Sequence, residues 1–141
     1  MQIRQITESY AVSPQIDPAD IPAIKAAGFT TVICNRPDAE VPMELQSAVV
    51  RIAAEAAGLT FIDNPVSHQT LNLGMVDAQF AAMEASEGPV FAYCASGNRC
   101  SIIWCLGQAG QMPVDEIIAT VARAGYDQSA LRPQLEALSR R

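Results

Sequence analysis

Pro89-Val90-Phe91-Ala92-Tyr93-Cys94-Ala95-Ser96-Gly97-Asn98-Arg99-Cys100-Ser101-Ile102-Ile103-Trp104-Cys105-Leu106 joins an apolar run to a helix-like run through a short loop that begins on a cysteine and ends on an arginine. Pro89 to Tyr93 reads as a buried strand, and Ser101 to Leu106 reads as the start of a helix. Such a passage turns the loop's backbone N–H groups inward, around the Cys94 sulfur, where they form a nest for an anion. The positive end of the helix and the Arg99 guanidinium both favour thiolate, and such surroundings lower a cysteine pKa from about 8.5 to about 3.5–7.5. Cys94 is therefore the expected nucleophile. Ala95, Ser96, Gly97 and Asn98 are the expected anion-binding residues through their backbone, with Gly97 permitting a turn that a Cβ would obstruct.

Outward from that loop, helices and strands alternate. Asp17-Pro18-Ala19-Asp20 sets a capping residue, a proline and an acid in the order of a helix start, with Ile21, Ile24 and Ala27 on one face and Gly28 as the stop. Phe29 to Cys34 reads as a strand. A second helix is expected from about Met43 to Ala57, burying Leu45, Val49, Ile52 and Ala56. Leu59 to Val66 reads as a strand with Pro65 near its end, since proline donates nothing to a ladder. A third helix, about Leu73 to Ser86, presents Val76, Phe80 and Met83. Beyond the Cys94 loop, Pro113 starts a helix carrying Ile117, Val121 and Ala124, and Ser129 to Arg140 makes the last one. Tyr10-Ala11-Val12 adds an edge strand.

This order predicts an α/β fold: three αβα layers around a central, mainly parallel sheet of four to five strands, because right-handed crossovers place helices on both faces. Ligands of such sheets lie beyond the carboxyl ends of the strands. Three strand ends should therefore converge: Cys34-Asn35-Arg36-Pro37-Asp38, Val66-Ser67-His68-Gln69, and Cys94 to Arg99.

The composition, 141 residues with 50% hydrophobic, fits one domain over residues 1–141. A net charge of −6 argues against a nucleic-acid partner. No apolar stretch approaches the roughly 18 residues of a membrane span, and Met1 to Glu8 carries no apolar leader core, so a cytoplasmic location is expected. Cys34, Cys94, Cys100 and Cys105 lack paired metal-ligand spacing; reduced thiols, no metal and no cofactor are expected.

Several stretches together resemble the phosphatase-like domain of β-lactamase hydrolase-like proteins: Val12-Ser13-Pro14-Gln15-Ile16, Ala26-Ala27-Gly28-Phe29, Asn35-Arg36-Pro37-Asp38-Ala39-Glu40, Pro65-Val66, Tyr93 to Arg99, Trp104, and Ala124-Gly125-Tyr126-Asp127. The resemblance implies a fold like the cysteine-dependent dual-specificity phosphatases, with Cys94 as nucleophile and Arg99 as anion clamp. Set against the wider signature His-Cys-x5-Arg-Ser/Thr, Tyr93 replaces the histidine, the loop is one residue shorter, and Cys100 stands where Ser or Thr follows the arginine. A shorter loop offers one fewer N–H to a phosphoryl group. Cys-x4-Arg is also the loop size of rhodanese-like sulfurtransferases.

The substrate expected is a small anion, either a phosphomonoester or a persulfide or thiosulfate. In dual-specificity phosphatases an aspartate general acid follows the strand before the nucleophile's strand. Here His68 falls near that spot, and imidazole exchanges protons near neutrality. Arg36 and Asp38 have two readings: a second cation and its neighbour lining the pocket, or a structural pair pinning the turn. Cys34 is either a buried small hydrophobe or a redox partner of Cys94. Ser101 caps the helix or donates to the thiolate. Three functions follow from these groups: a cysteine-dependent phosphatase, a sulfurtransferase, or a non-catalytic anion- or partner-binding module.

Overall fold

The computed structural model describes residues 1–140. Five strands, β1 (Arg4–Thr7), β2 (Tyr10–Ser13), β3 (Thr31–Cys34), β4 (Thr60–Asp63) and β5 (Val90–Tyr93), form one sheet in the order β1-β2-β5-β3-β4. All neighbours are parallel except the β1–β2 hairpin. The strand that leads into Cys94, β5, is the middle one. It pairs with β2 through Ser13↔Tyr93 and with β3 through Cys34↔Tyr93.

Helices cover both faces, as the crossover rule requires. On one face lie α1 (Ile21–Ala26) and α2 (Ser47–Ala56). Their Ile21, Ile24, Val50 and Ala54 bury against Ala11, Val32, Cys34, Phe61, Phe91 and Tyr93. On the other face lie α3 (Leu73–Ala85), α4 (Asn98–Gln108), α5 (Val114–Arg123) and α6 (Arg132–Ser139). These pack Val76, Ile103, Trp104, Ile117, Val121 and Leu135 against Tyr10, Val12, Ile33, Ala92 and Cys94. Alternation along each strand decides which side chain goes to which face. α4 is buried from Arg99 through Leu106, which suits a helix enclosed by the sheet and three others.

The structure corrects four expectations. Tyr10–Ser13 is interior, not an edge, because the polar stretch Arg4–Thr7, with only Ile6 buried, folds back as the true edge strand. The second helix begins at Ser47; Met43–Leu45 is a separate 3-10 turn after Pro42. Its inward face is Ser47, Val50 and Ala54, while Val49 and Ile52 point out, Ile52 at 70% exposure. The cause is tertiary. The Asp38 carboxylate accepts from the Ser47 N–H at 2.8 Å and fixes where the helix starts, and Arg51 lies 4.9 Å over the Phe61 ring. Finally, Ala27 is an exposed C-cap and not part of the buried face of α1.

Candidate active site

Cys94 follows β5 directly, and the chain from Cys94 to Gly97 turns into α4. Ser13 and Gln15 hold this loop from the β2 side: the Cys94 N–H donates to the Ser13 carbonyl and the Gln15 N–H to the Ala95 carbonyl, both at 3.3 Å. Gly97 has φ +91°, and a Cβ there would run into the Tyr126 hydroxyl. That hydroxyl donates to the Ser96 carbonyl at 2.9 Å, and Gln128 donates to Asn98 Oδ1 at 2.6 Å and Ser101 Oγ at 2.9 Å. The Ala124-Gly125-Tyr126 segment is in turn fixed by Arg4, which donates to the Ala124 carbonyl and lies 5.5 Å from the Tyr126 ring.

The Gly97 N–H donates to Cys94 Sγ at 3.1 Å. The Cys94 thiol is lowered to about 5, first by a hydrogen bond from the Cys100 thiol and then by the N–H groups of Cys100, Ser96 and Gly97, all opposed by burial. The loop is thus a nest, and its centre is the sulfur itself. Burial pushes the Cys100 thiol up, which keeps it protonated and donating. Ser101 neither caps nor reaches Cys94; its hydroxyl donates to the Asn98 carbonyl at 2.8 Å.

Arg99, in the first turn of α4, is 8% exposed. Its Nη1 donates to Glu40 Oε2 and to the Val66 carbonyl, and its Nη2 to Glu40 Oε1, all at 2.8 Å. The Glu40 hydrogen bond raises the Arg99 pKa, and the nearby Cys94 sulfur adds to that rise. The fork is therefore divided: one edge grips Glu40 and the end of the β4 segment, the other faces the sulfur. Glu40's carboxyl is held below the usual range, first by its Arg99 hydrogen bond and also by Arg36, so it stays ionised.

The three predicted strand ends do converge here through Arg99, Glu40 and Val66. Glu40 was not among the expected site residues, although it ends the Asn35–Glu40 stretch; its signal was its place in that motif, and nothing local assigned it a partner. Arg36 donates to Glu40 Oε1 at 3.2 Å and Gln15 Oε1 at 3.3 Å. Asp38 is not its partner. Asp38 accepts from the Ser47 N–H and hydroxyl and so belongs to the start of α2.

Below the loop runs a buried polar chain that the sequence did not disclose. Tyr10 Oη donates to the Cys100 carbonyl at 3.0 Å and accepts from Gln79 Nε2 at 3.2 Å, and Gln79 exchanges hydrogen bonds with Asn35. Asn64 joins through its amide to Gln79 Oε1 at 2.9 Å. Every buried polar end in this chain is matched, so it ties the ends of β3 and β4 to the first turn of α4.

Two predicted groups lie elsewhere. His68 is exposed and borders a cleft of about 270 Å³ with Leu71, Asn72, Leu73, Leu106 and Gln134. Cys34 points to the opposite face of the sheet from Cys94, where its thiol donates to the Arg36 carbonyl at 3.3 Å and lies against the Tyr93 hydroxyl. Burial pushes that thiol up to about 11. A larger cleft, about 440 Å³, lies at the amino ends of β3 and β4 beside Lys25, Thr31, Thr60 and Ser86. Cys94 borders neither cleft and is fully shielded in this conformation.

A family model for the phosphatase-like domain of beta-lactamase hydrolase-like proteins matches residues 2–111. A beta-lactamase hydrolase-like protein of Agrobacterium fabrum is 33% identical over 138 residues, 96% of this chain and 32% of the relative. The chain thus spans about a third of the length of the curated relatives it matches. Among solved structures, a Neisseria meningitidis protein provisionally described as a phosphatase is 36% identical, with a TM-score of 0.86 over 98% of this chain and 99% of that one. Tk-PTP in its active form, 17% identical, shares the fold at a TM-score of 0.70 over 99% of this chain and 97% of that one.

Proposed function

Since the chain belongs to the phosphatase-like domain family of beta-lactamase hydrolase-like proteins, we propose that it hydrolyses phosphomonoesters through a covalent Cys94 intermediate. The Cys94 thiolate attacks phosphorus in line; the P–S bond forms as the ester P–O bond breaks, and the alcohol oxygen leaves with the electron pair. Arg99, through the edge of its fork that faces the sulfur, and the loop N–H groups hold the equatorial oxygens. Water then attacks the thiophosphate, releasing phosphate and restoring the thiolate. The observation that supports this most is the sulfur itself, ionised at neutral pH by Cys100 and the loop, at the start of a helix and beside an arginine.

Access needs a local change, because the sulfur is shielded. An entering anion takes over the N–H groups that now point at the sulfur. Among the described residues, the only carboxylate on the Arg99 fork is Glu40, which is ionised. It is no proton donor, so substrates with acidic leaving groups, such as aryl phosphates, should turn over best.

The loop's length favours a second reading. Four residues separate Cys94 from Arg99, and the N–H groups gather on the sulfur, not around a wider ring of oxygens. In that reading the thiolate attacks the outer sulfur of thiosulfate, an S–S bond forms, sulfite leaves, and the resulting persulfide passes its sulfur to an acceptor thiol.

The test is to offer the purified protein 4-nitrophenyl phosphate and, separately, thiosulfate, and to follow phosphate release and the intact mass. Phosphate release that falls by at least about a thousandfold in Cys94→Ser is the expected result. A one-sulfur mass increase on Cys94 with no phosphate release overturns the phosphatase in favour of sulfur transfer. Reaction with neither leaves an anion- or partner-binding module.

A further inference from the structure

The Gly97 N–H that donates to Cys94 Sγ at 3.1 Å belongs to a peptide unit held from outside the loop. The other end of that unit is the Ser96 carbonyl, and in a planar trans peptide the two groups point in opposite directions. The Ser96 carbonyl accepts from the Tyr126 hydroxyl at 2.9 Å. A grip on the oxygen is therefore a grip on the aim of the N–H. The preceding peptide is held in the same way, since the Ala95 carbonyl accepts from the Gln15 N–H at 3.3 Å while the Ser96 N–H serves the sulfur. Gln15 holds with its backbone, whereas Tyr126 reaches back 30 residues with a side chain. Gly97 needs such a hold. Without a Cβ it takes up positive and negative φ about equally, so at φ +91° nothing in the residue itself stops the peptide from turning its carbonyl toward the sulfur. The missing Cβ is also what lets the hydroxyl in.

We infer that Tyr126 is a positioning residue for the nucleophile loop: its hydroxyl locks the Ser96–Gly97 peptide in the orientation that turns the N–H, and not the carbonyl oxygen, toward Cys94. A flipped peptide would set a partial negative charge against a thiolate, and its N–H would be missing for an entering anion. The phenol is a constant donor. Burial raises it above its ordinary range, so it stays protonated while Cys94 ionises. A donor on the carbonyl also polarises the amide and strengthens its N–H as a donor in turn. Tyr126 is itself held by Arg4 of β1, which donates to the Ala124 carbonyl at 3.1 Å and lies 5.5 Å from the ring. A Cβ on Gly125, at φ +100°, would meet that guanidinium. The edge strand thus reaches the nucleophile loop through two side chains, Arg4 and Tyr126.

The inference rests on the Cys94 thiolate of the reading above, though not on whether phosphorus or sulfur is its target. The experiment measures, against pH, the rate at which iodoacetamide modifies Cys94 in the folded full chain. It is read on the tryptic peptide of residues 52–99, in which Cys94 is the only cysteine. In the wild type the midpoint is expected at about 5. Tyr126→Phe keeps the ring against Arg4 and removes only the donor, and its midpoint should move up by about one pH unit, in line with the loss of one hydrogen bond that serves a charged group. Gln128→Ala separates aim from support. Gln128 donates to Asn98 Oδ1 at 2.6 Å and Ser101 Oγ at 2.9 Å and bonds neither end of the Ser96–Gly97 peptide. That variant should lose stability to denaturant while its midpoint stays with the wild type. A midpoint unchanged in Tyr126→Phe, or raised as far in Gln128→Ala, overturns the inference and leaves the thiolate reading intact. A wild-type midpoint in the free-thiol range, about 8.5, overturns both.

Discussion

Two strand-to-helix connections meet at the mouth of the site, and they are built on opposite plans. Between β5 and α4 the chain needs only residues 94–97, and what matters there is backbone: N–H groups aimed at a sulfur at the start of a helix. Between β3 and α2 it takes residues 35–46, with two 3-10 turns, and what matters is side chains. Arg36 grips Glu40, Asp38 caps Ser47, and Glu40 reaches across to Arg99. The short connection gathers donors around the Cys94 sulfur. The long one sets the Glu40 carboxylate on the Arg99 guanidinium.

The comparison breaks most visibly at Arg99, the one side chain that both connections hold. Arg99→Lys keeps the charge but removes the fork, and one ammonium cannot bond Glu40, the Val66 carbonyl and a substrate anion in the fixed geometry of a guanidinium. Loss of an oriented donor of this kind costs about 10²–10³ in kcat/KM, read with an aryl phosphate. The short connection is tested by pH. The active form is the thiolate, so kcat/KM should rise as pH rises through about 5 and then level off, with Cys94 iodoacetamide reactivity following the same curve. An acid limb near the free-thiol range would show that the loop does not set the charge.

Glu40→Gln asks whether the long connection positions Arg99 or competes with substrate for it. As a positioning residue, the carboxylate holds the outer edge of the fork so that the inner edge stays aimed at the sulfur. A glutamine keeps one acceptor and loses the charge, and kcat/KM should fall by about tenfold, in line with one charge-assisted hydrogen bond of about 1.5 kcal/mol. A rise in kcat/KM, with phosphate inhibiting more strongly, would make Glu40 an internal rival of the substrate.

The same contrast explains what the sequence disclosed. β5, its loop and α4 were legible because their signals are local: an apolar run, a glycine at positive φ, a cysteine and an arginine at fixed spacing. The αβα layering followed from the alternation of elements, and the Asp17 to Asp20 helix start from capping chemistry, which the structure shows as a reciprocal box. Glu40, Gln79, Tyr126 and Gln128 were not assigned roles, because each acts on a partner tens of residues away. α2 misled for the same reason. Its sequence offers Val49 and Ile52 as readily as Val50 and Ala54, and only Asp38 and Phe61, in other elements, choose between the two faces. The edge strand was missed because three of its four residues are polar.

Asp38 sharpens the comparison from the structural side. If it serves α2 and not the anion, Asp38→Ala should lower stability by about 0.5–2 kcal/mol, the usual effect of losing a helix cap, while kcat/KM stays within about twofold. Chemical denaturation and steady-state kinetics on the same sample decide it. A loss of activity larger than the loss of stability explains would return Asp38 to the pocket.

The smallest effect belongs to His68, an expected general acid whose side chain lies away from Cys94. Its backbone follows Val66, whose carbonyl receives Arg99, yet its side chain borders a cleft that includes Leu106 and Gln134. Leu106 lies seven residues beyond Arg99, about 10 Å along the axis of α4, so this cleft flanks the helix and not its start. A general acid must come within hydrogen-bond reach of the leaving oxygen, directly or through one water. His68→Ala should therefore leave kcat/KM unchanged across the pH range. With no acid at work, the rate should instead depend steeply on the leaving group, and a series of aryl phosphates of rising phenol pKa should slow in parallel in the wild type and His68→Ala. If the variant slows selectively on the poorest leaving groups, the histidine reaches the substrate after all, through a motion of the segment after Val66 that brings the third strand end into the chemistry.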